Sequence, residues 1–185
     1  MKRLFVACAA MALLAPATAT AKPTQTDKTN AARECKTERG TTAATREAFR
    51  VKYGTNANGK NAFGKCVSGR ARSEEAQREA ARSNAAKECK AERAADPAAF
   101  AAKYGTNAND KNAYGKCVSQ KAKAKKQAAD ARDAAKITAR KNAAKECATE
   151  RASIGRQAFA DKYGTNANKR NAFGKCVSKL ARAQS

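Results

Sequence analysis

Lys52-Tyr53-Gly54-Thr55-Asn56-Ala57-Asn58-Gly59-Lys60-Asn61-Ala62-Phe63-Gly64-Lys65-Cys66-Val67-Ser68 decides the fold, because it returns at residues 103–119 and 162–178 with fourteen of its 17 positions unchanged. Each copy carries one cysteine (Cys66, Cys117, Cys176) and follows an Asn-Ala-Ala-x-Glu-Cys segment that holds another (Cys35, Cys89, Cys147). The chain is therefore three copies of one small unit. Such repetition reports what a unit needs in order to fold, and it names no substrate or partner.

Composition makes the unit helical. Alanine, lysine, arginine and glutamate are strong helix formers, no run of β-branched residues competes for strand, and tryptophan is absent. The second unit reads most clearly. A helix over about 84–93 gives way at Asp96, which is suited to cap a short helix with Pro97 in its first turn. That helix carries Phe100 and Tyr104 on one face and stops at Gly105, expected to take the left-handed conformation. After the loop 106–111, Asn112 is expected to cap a third helix that aligns Tyr114, Cys117 and Val118. The sets Phe49, Tyr53, Phe63, Val67 and Phe159, Tyr163, Phe173, Val177 repeat this pattern.

Between boxes there is no turn chemistry, so the third helix of one unit should run on as the first of the next, over about 61–93 and 112–151. At 1.5 Å per residue these rods span roughly 50 and 60 Å. The expected fold is all-α and elongated, three disulfide-stapled knots on Ala/Lys/Arg-rich rods. Its expected divisions are unit 1 at 22–68, a charged linker at 69–83, unit 2 at 84–119, a basic linker at 120–141 and unit 3 at 142–185.

Rod geometry settles the disulfides. Cys66 and Cys89, 23 residues apart on one helix, would lie roughly 34 Å from each other, against the Cα separation below about 7 Å that a bridge needs. The expected pairs are Cys35–Cys66, Cys89–Cys117 and Cys147–Cys176. Each closes a loop of about 30 residues, worth about 3 to 4 kcal/mol in the chain-entropy model. Three rings and a valine are too few to hold a unit alone. The cysteines are thus structural, and zinc is disfavoured because two cysteines per unit and no histidine cannot supply four ligands.

Residues 1–21 read as a secretory signal peptide: Lys2 and Arg3, an apolar run to Ala15, then small-x-small sites ending at Ala19 and Ala21. The run is too short to span a bilayer. Cleavage removes Cys8, leaving six cysteines in an oxidising compartment, and points to a secreted or envelope-associated protein.

The chain has 39 Lys and Arg against 16 Asp and Glu. Loss of Lys2 and Arg3 leaves a net charge near +21, which favours an anionic partner. Candidate anion-binding residues are Lys65, Lys116 and Lys175 at the third-helix starts, where the helix dipole assists, and Lys121, Lys123, Lys125 and Lys126 in the basic linker. Non-specific nucleic acid is one such partner, although the interleaved aromatics of a single-strand binder are missing. The alternative use of these lysines is a solvated helix face.

Other motifs reduce to folding. Gly54 to Asn61 is one residue from a nucleotide-binding loop, but its second glycine becomes Asp110 and Lys169 in the other copies, and a helix precedes it. The loop asparagines Asn56, Asn58 and Asn61 are expected to satisfy backbone groups. Calcium is disfavoured by a loop with at most one carboxylate, Asp110. The recurring pairs Glu34/Glu38, Glu88/Glu92 and Glu146/Glu150, spaced four apart, read as surface charge, and units this small lack a cleft for hydrolysis. No cofactor or enzymatic activity is expected.

The Tyr-Gly-Thr-Asn-Ala-Asn…Asn-Ala-Phe-Gly-Lys-Cys-Val-Ser box resembles one found in uncharacterised exported proteins of high-GC Gram-positive bacteria. The resemblance implies export and repetition, and it carries no activity. Two functions fit: multivalent binding to an anionic polymer (wall polymer, anionic lipid or extracellular DNA), or a spacer or protein-interaction scaffold in the envelope.

Overall fold

The computed structural model describes residues 22–184. The signal-peptide segment lies outside the described residues. Among the described residues seven helices follow one another: α1 (Gln25–Arg39), α2 (Ala43–Tyr53), α3 (Ala62–Ala95), α4 (Pro97–Tyr104), α5 (Ala113–Ile154), α6 (Arg156–Tyr163) and α7 (Ala172–Ala183). Among the described residues there is no strand. The fold is all-α.

Local chemistry sets the boundaries. Thr24 opens α1 with a capping box, its side chain accepting from the Asp27 N–H while Asp27 accepts from the Thr24 N–H. Asp96 accepts from Ala99 N–H at 2.9 Å and Pro97 fills the first position of α4, as its sequence suggests. Where unit 2 uses Asp96, unit 3 turns at Gly155, whose φ of 82° is readily reached only without a side chain.

Two local expectations are corrected. Gly105 is extended, with φ −65°, and not left-handed. Its lack of a side chain serves close approach, since a Cβ there would lie 2.6 Å from the Ala101 carbonyl oxygen and 1.9 Å from Asp110 Oδ1. The left-handed positions fall later in the loop, at Gly59, Asp110 and Lys169. Asn112 makes no capping bond to α5. It faces back, accepting from Thr106 N–H at 3.1 Å and donating to Thr106 Oγ1 at 2.6 Å. Asn61 with Thr55 and Asn171 with Thr165 do the same. Asn58, Asn109 and Asn168 accept from the backbone N–H two residues on. Those asparagines spend their amides on the loop itself.

All three disulfides form as the rod geometry requires, Cys35–Cys66, Cys89–Cys117 and Cys147–Cys176, with Cα separations of 6.0 to 6.1 Å. Around each lies a small aromatic cluster: Phe49, Tyr53, Phe63 and Val67 in unit 1, Phe100, Tyr104, Tyr114 and Val118 in unit 2, and Phe159, Tyr163, Phe173 and Val177 in unit 3.

The two long helices are continuous, 34 residues in α3 and 42 in α5. They do not hold the units apart as independent knots. With α4 at the turn, α3 and α5 form an antiparallel hairpin: Glu92 and Glu88 of α3 meet Lys121 and Lys125 near the start of α5, and Gln77 and Glu74 meet Asp133 and Lys126 further on. Helix α1 packs along both. The hairpin returns unit 3 to unit 1, so that α2 packs on α5 and α7 while unit 2 stands at the opposite end. The segments 69–83 and 120–141 are hairpin walls rather than free linkers. Charge complementarity and small alanine faces draw together rods that look self-sufficient one at a time.

Candidate functional site

Each unit repeats one polar cluster: the glutamate three residues after its first cysteine takes the ammonium of the box lysine and the phenol of the box tyrosine. Glu92 takes Lys103 at 2.7 Å and Tyr104 at 3.2 Å, and Glu150 takes Lys162 at 2.5 Å and Tyr163 at 2.8 Å. In unit 1 Glu38 is 4% exposed and gathers Lys52 at 2.7 Å, Tyr53 at 2.8 Å, Arg70 at 2.6 Å and Arg140 at 3.2 Å. The expectation of surface charge fails for Glu38. Arg140 comes from α5, so this carboxylate ties unit 1 to the returning helix.

The pKa values follow. Burial alone would raise Glu38, but the Lys52 charge and hydrogen bond, helped by Arg70, hold it below the usual carboxylate range. Burial lowers Lys52 even against Glu38, while burial, followed by the Glu38 charge, pushes the Tyr53 phenol up. The pair remains ionic because Glu38 faces three cations. At the open end, hydrogen bonds from Lys103 and Lys121 draw Glu92 down to about 2. These tyrosines and glutamates are committed to one another.

Of the sequence candidates, Lys121 pairs with Glu92 at 2.8 Å, Lys125 with Glu88 at 2.7 Å, and Lys126 with Glu74 at 2.6 Å and with Asp130. They close the hairpin and are not a free basic tail. Lys123, by contrast, is exposed. Lys65, Lys116 and Lys175 are exposed in the first turns of α3, α5 and α7.

Lys175 belongs to something larger. Docking of unit 1 on unit 3 leaves an open groove of 650 Å³ whose charged lining is Lys52, Arg140, Lys162, Lys175, Lys179 and Arg182, with no acidic residue. Lys52 and Arg140 share Glu38, and Lys162 holds Glu150. An open groove lined by cations and by no carboxylate suits an extended anion. Nothing in one unit's sequence shows it, because Lys52 comes from α2 and Arg140 from α5, and Lys52 reaches unit 3 only through the fold-back. The run Lys175, Lys179, Arg182, spaced four and three apart on α7, was the available signal.

Most of the acids are engaged in ion pairs. Asp27, Glu34, Glu38, Glu47, Glu74, Glu79, Glu88, Glu92, Asp130, Asp133 and Glu150 all sit in ion pairs. Exposed cations such as Arg46, Lys60, Lys87 and Lys145 are left over. Among the described residues no group of three His, Cys, Asp or Glu side chains is arranged to hold a metal ion, and no helix is long and apolar enough to cross a membrane. No family model matches the chain, and neither does any curated protein or solved structure.

Proposed function

We propose that the chain is an exported, non-enzymatic cationic protein that holds an anionic polymer in the groove between units 1 and 3. The observation that carries this reading is the six-cation, acid-free lining of that groove. A net charge near +21 after leader removal supports it, since ion pairing leaves the surplus on the surface. Exposed Lys65, Lys116 and Lys123 supply weaker secondary contacts, which add affinity through one chain. Three disulfides fit an oxidising, extracytoplasmic compartment, as does the leader-like segment at 1–21.

The test is binding of the mature, oxidised protein to DNA, anionic wall polymer and anionic vesicles at about 150 mM salt. Lys175→Gln with Lys179→Gln should weaken binding more than the same change at Lys87 and Lys90, which are exposed on α3 at the far end of the hairpin. Reduced and alkylated protein keeps its charge and loses the groove, so it should bind weakly and with a steep salt dependence. Equal binding by all four forms would reduce the reading to diffuse electrostatics.

A further inference from the structure

The box places an aromatic, a glycine and a valine on one helix face, and the first helix of the unit lays an arginine over the ring. In unit 3 this face is Phe173, Gly174 and Val177 with Arg151 5 Å or less from the ring centre, at 4.5 Å, and α2 covers it. Ala44 and Ala48 join its apolar cluster. Glu47 takes Arg151 bidentately at 2.7 and 2.8 Å. One turn on, Val51 Cγ1 lies 2.6 Å from where a Cβ on Gly174 would stand. Under α2, Phe173 is 4% and Val177 0% exposed.

Units 1 and 2 carry the same face uncovered. Arg39 lies 5.3 Å from the Phe63 ring centre and Arg93 5.0 Å from that of Tyr114. Among the described residues no carboxylate pairs with either arginine. A Cβ on Gly64 or Gly115 would meet nothing within 4 Å, and Phe63, Val67, Tyr114 and Val118 are only half-buried. Glycine weakens a helix, and within units 1 and 2 nothing in the fold requires it.

We propose that these two open faces each dock a helix of a partner protein, one that offers a glutamate to Arg39 or Arg93 and a valine-sized side chain, one turn later, to Gly64 or Gly115. The occupant of unit 3 is the template. The faces differ from it chiefly by charge: Ala148 and Leu180, packed in the covered cluster, are Lys36 and Arg70 in unit 1 and Lys90 and Lys121 in unit 2, where Tyr114 also replaces Phe173. The partner helix is therefore more acidic than α2, and the same exchange sorts α2 itself to unit 3. This contact is independent of polymer binding, since none of these residues lines the six-cation groove.

The probe is a fluorescent peptide with the sequence of residues 42–53, Ala44 replaced by Glu and Phe49 by Ala, held helical by a lactam staple on its solvent face. Titrated with mature oxidised protein, it should bind saturably with up to two peptides per chain. Gly64→Leu with Gly115→Leu should weaken it by about tenfold or more, as should Arg39→Gln with Arg93→Gln. The leucines project into open space, so the Gly→Leu protein should melt no lower than wild type and keep its polymer binding. A scrambled peptide of equal charge that binds as well, or binding that survives both leucines, overturns the proposal, and so does the absence of saturation up to about 1 mM.

Discussion

Alanine placed at Gly64, Gly115 and Gly174 puts the same substitution into three copies of one box, and the fold assigns it opposite signs. At Gly64 and Gly115 the new Cβ meets nothing within 4 Å, so the change should add up to about 1 kcal/mol of helix propensity. At Gly174 the Cβ would sit 2.6 Å from Val51 Cγ1, against a normal carbon contact of about 3.5 to 4.0 Å. Valine in a helix has one strongly preferred rotamer, so Val51 must leave it or α2 must lift off α7. Overpacking of this kind costs about 1 to 3 kcal/mol, which cancels the propensity gain and exceeds it. The positions should thus differ by about 1 to 3 kcal/mol, or several degrees in Tm for a chain of this size. Thermal unfolding followed by circular dichroism, with the disulfides intact, measures the difference. Three equal shifts would show that unit 1 does not dock on unit 3 through this face.

Glu38→Gln should destabilise by about 3 to 5 kcal/mol in urea unfolding, because it leaves Lys52, Arg70 and Arg140 around a neutral side chain in a buried site. Glu92→Gln, at the solvent-facing end, should cost far less. Acid should weaken the fold. Glu38, Glu92 and Glu150 are lowered from the usual value of 4.5, so their stabilisation is present above it and is lost as the pH falls through their folded values, for Glu92 about 2. Glu34 opposes this modestly, since burial raises it and protonation there favours the folded state. A Tm series from pH 7 to pH 2 should therefore fall mainly below about 4.5. Replacing Cys89 and Cys117 by alanine should cost about 3 to 4 kcal/mol by loop entropy. It should also melt α4 before the unit 1–unit 3 end, which hydrogen exchange resolves, because unit 2 lacks the added α2 packing.

What the sequence discloses and what it hides divide along physical lines. Helix type, the Asp96-Pro97 start and the three pairings are local or follow from the rise of a helix, so alanine-rich composition and cysteine spacing suffice. Gly105 and Asn112 are ambiguous in sequence because glycine and asparagine each serve several backbone roles, and only the packed loop selects one. The fold-back is non-local. Lys126 and Glu74, or Arg151 and Glu47, look like ordinary solvated charges until the helices meet. Its trace lies where the copies disagree: Glu47 and Val51 become Ala98 and Ala102 in unit 2 and Gln157 and Asp161 in unit 3, while Ala148 stands where the other units have lysine. Identity among copies recorded the unit, and departures from identity recorded the assembly. The cationic groove depends on that assembly and was visible only as the α7 run.

Small-angle X-ray scattering of the mature oxidised protein tests the central claim, that α3 and α5 fold back to bring units 1 and 3 together and create the groove. A hairpin whose longest helix has 42 residues should give a maximum dimension near 70 Å, from about 63 Å of helix plus end loops. A maximum dimension above about 110 Å, the length of the two rods placed end to end, would contradict it.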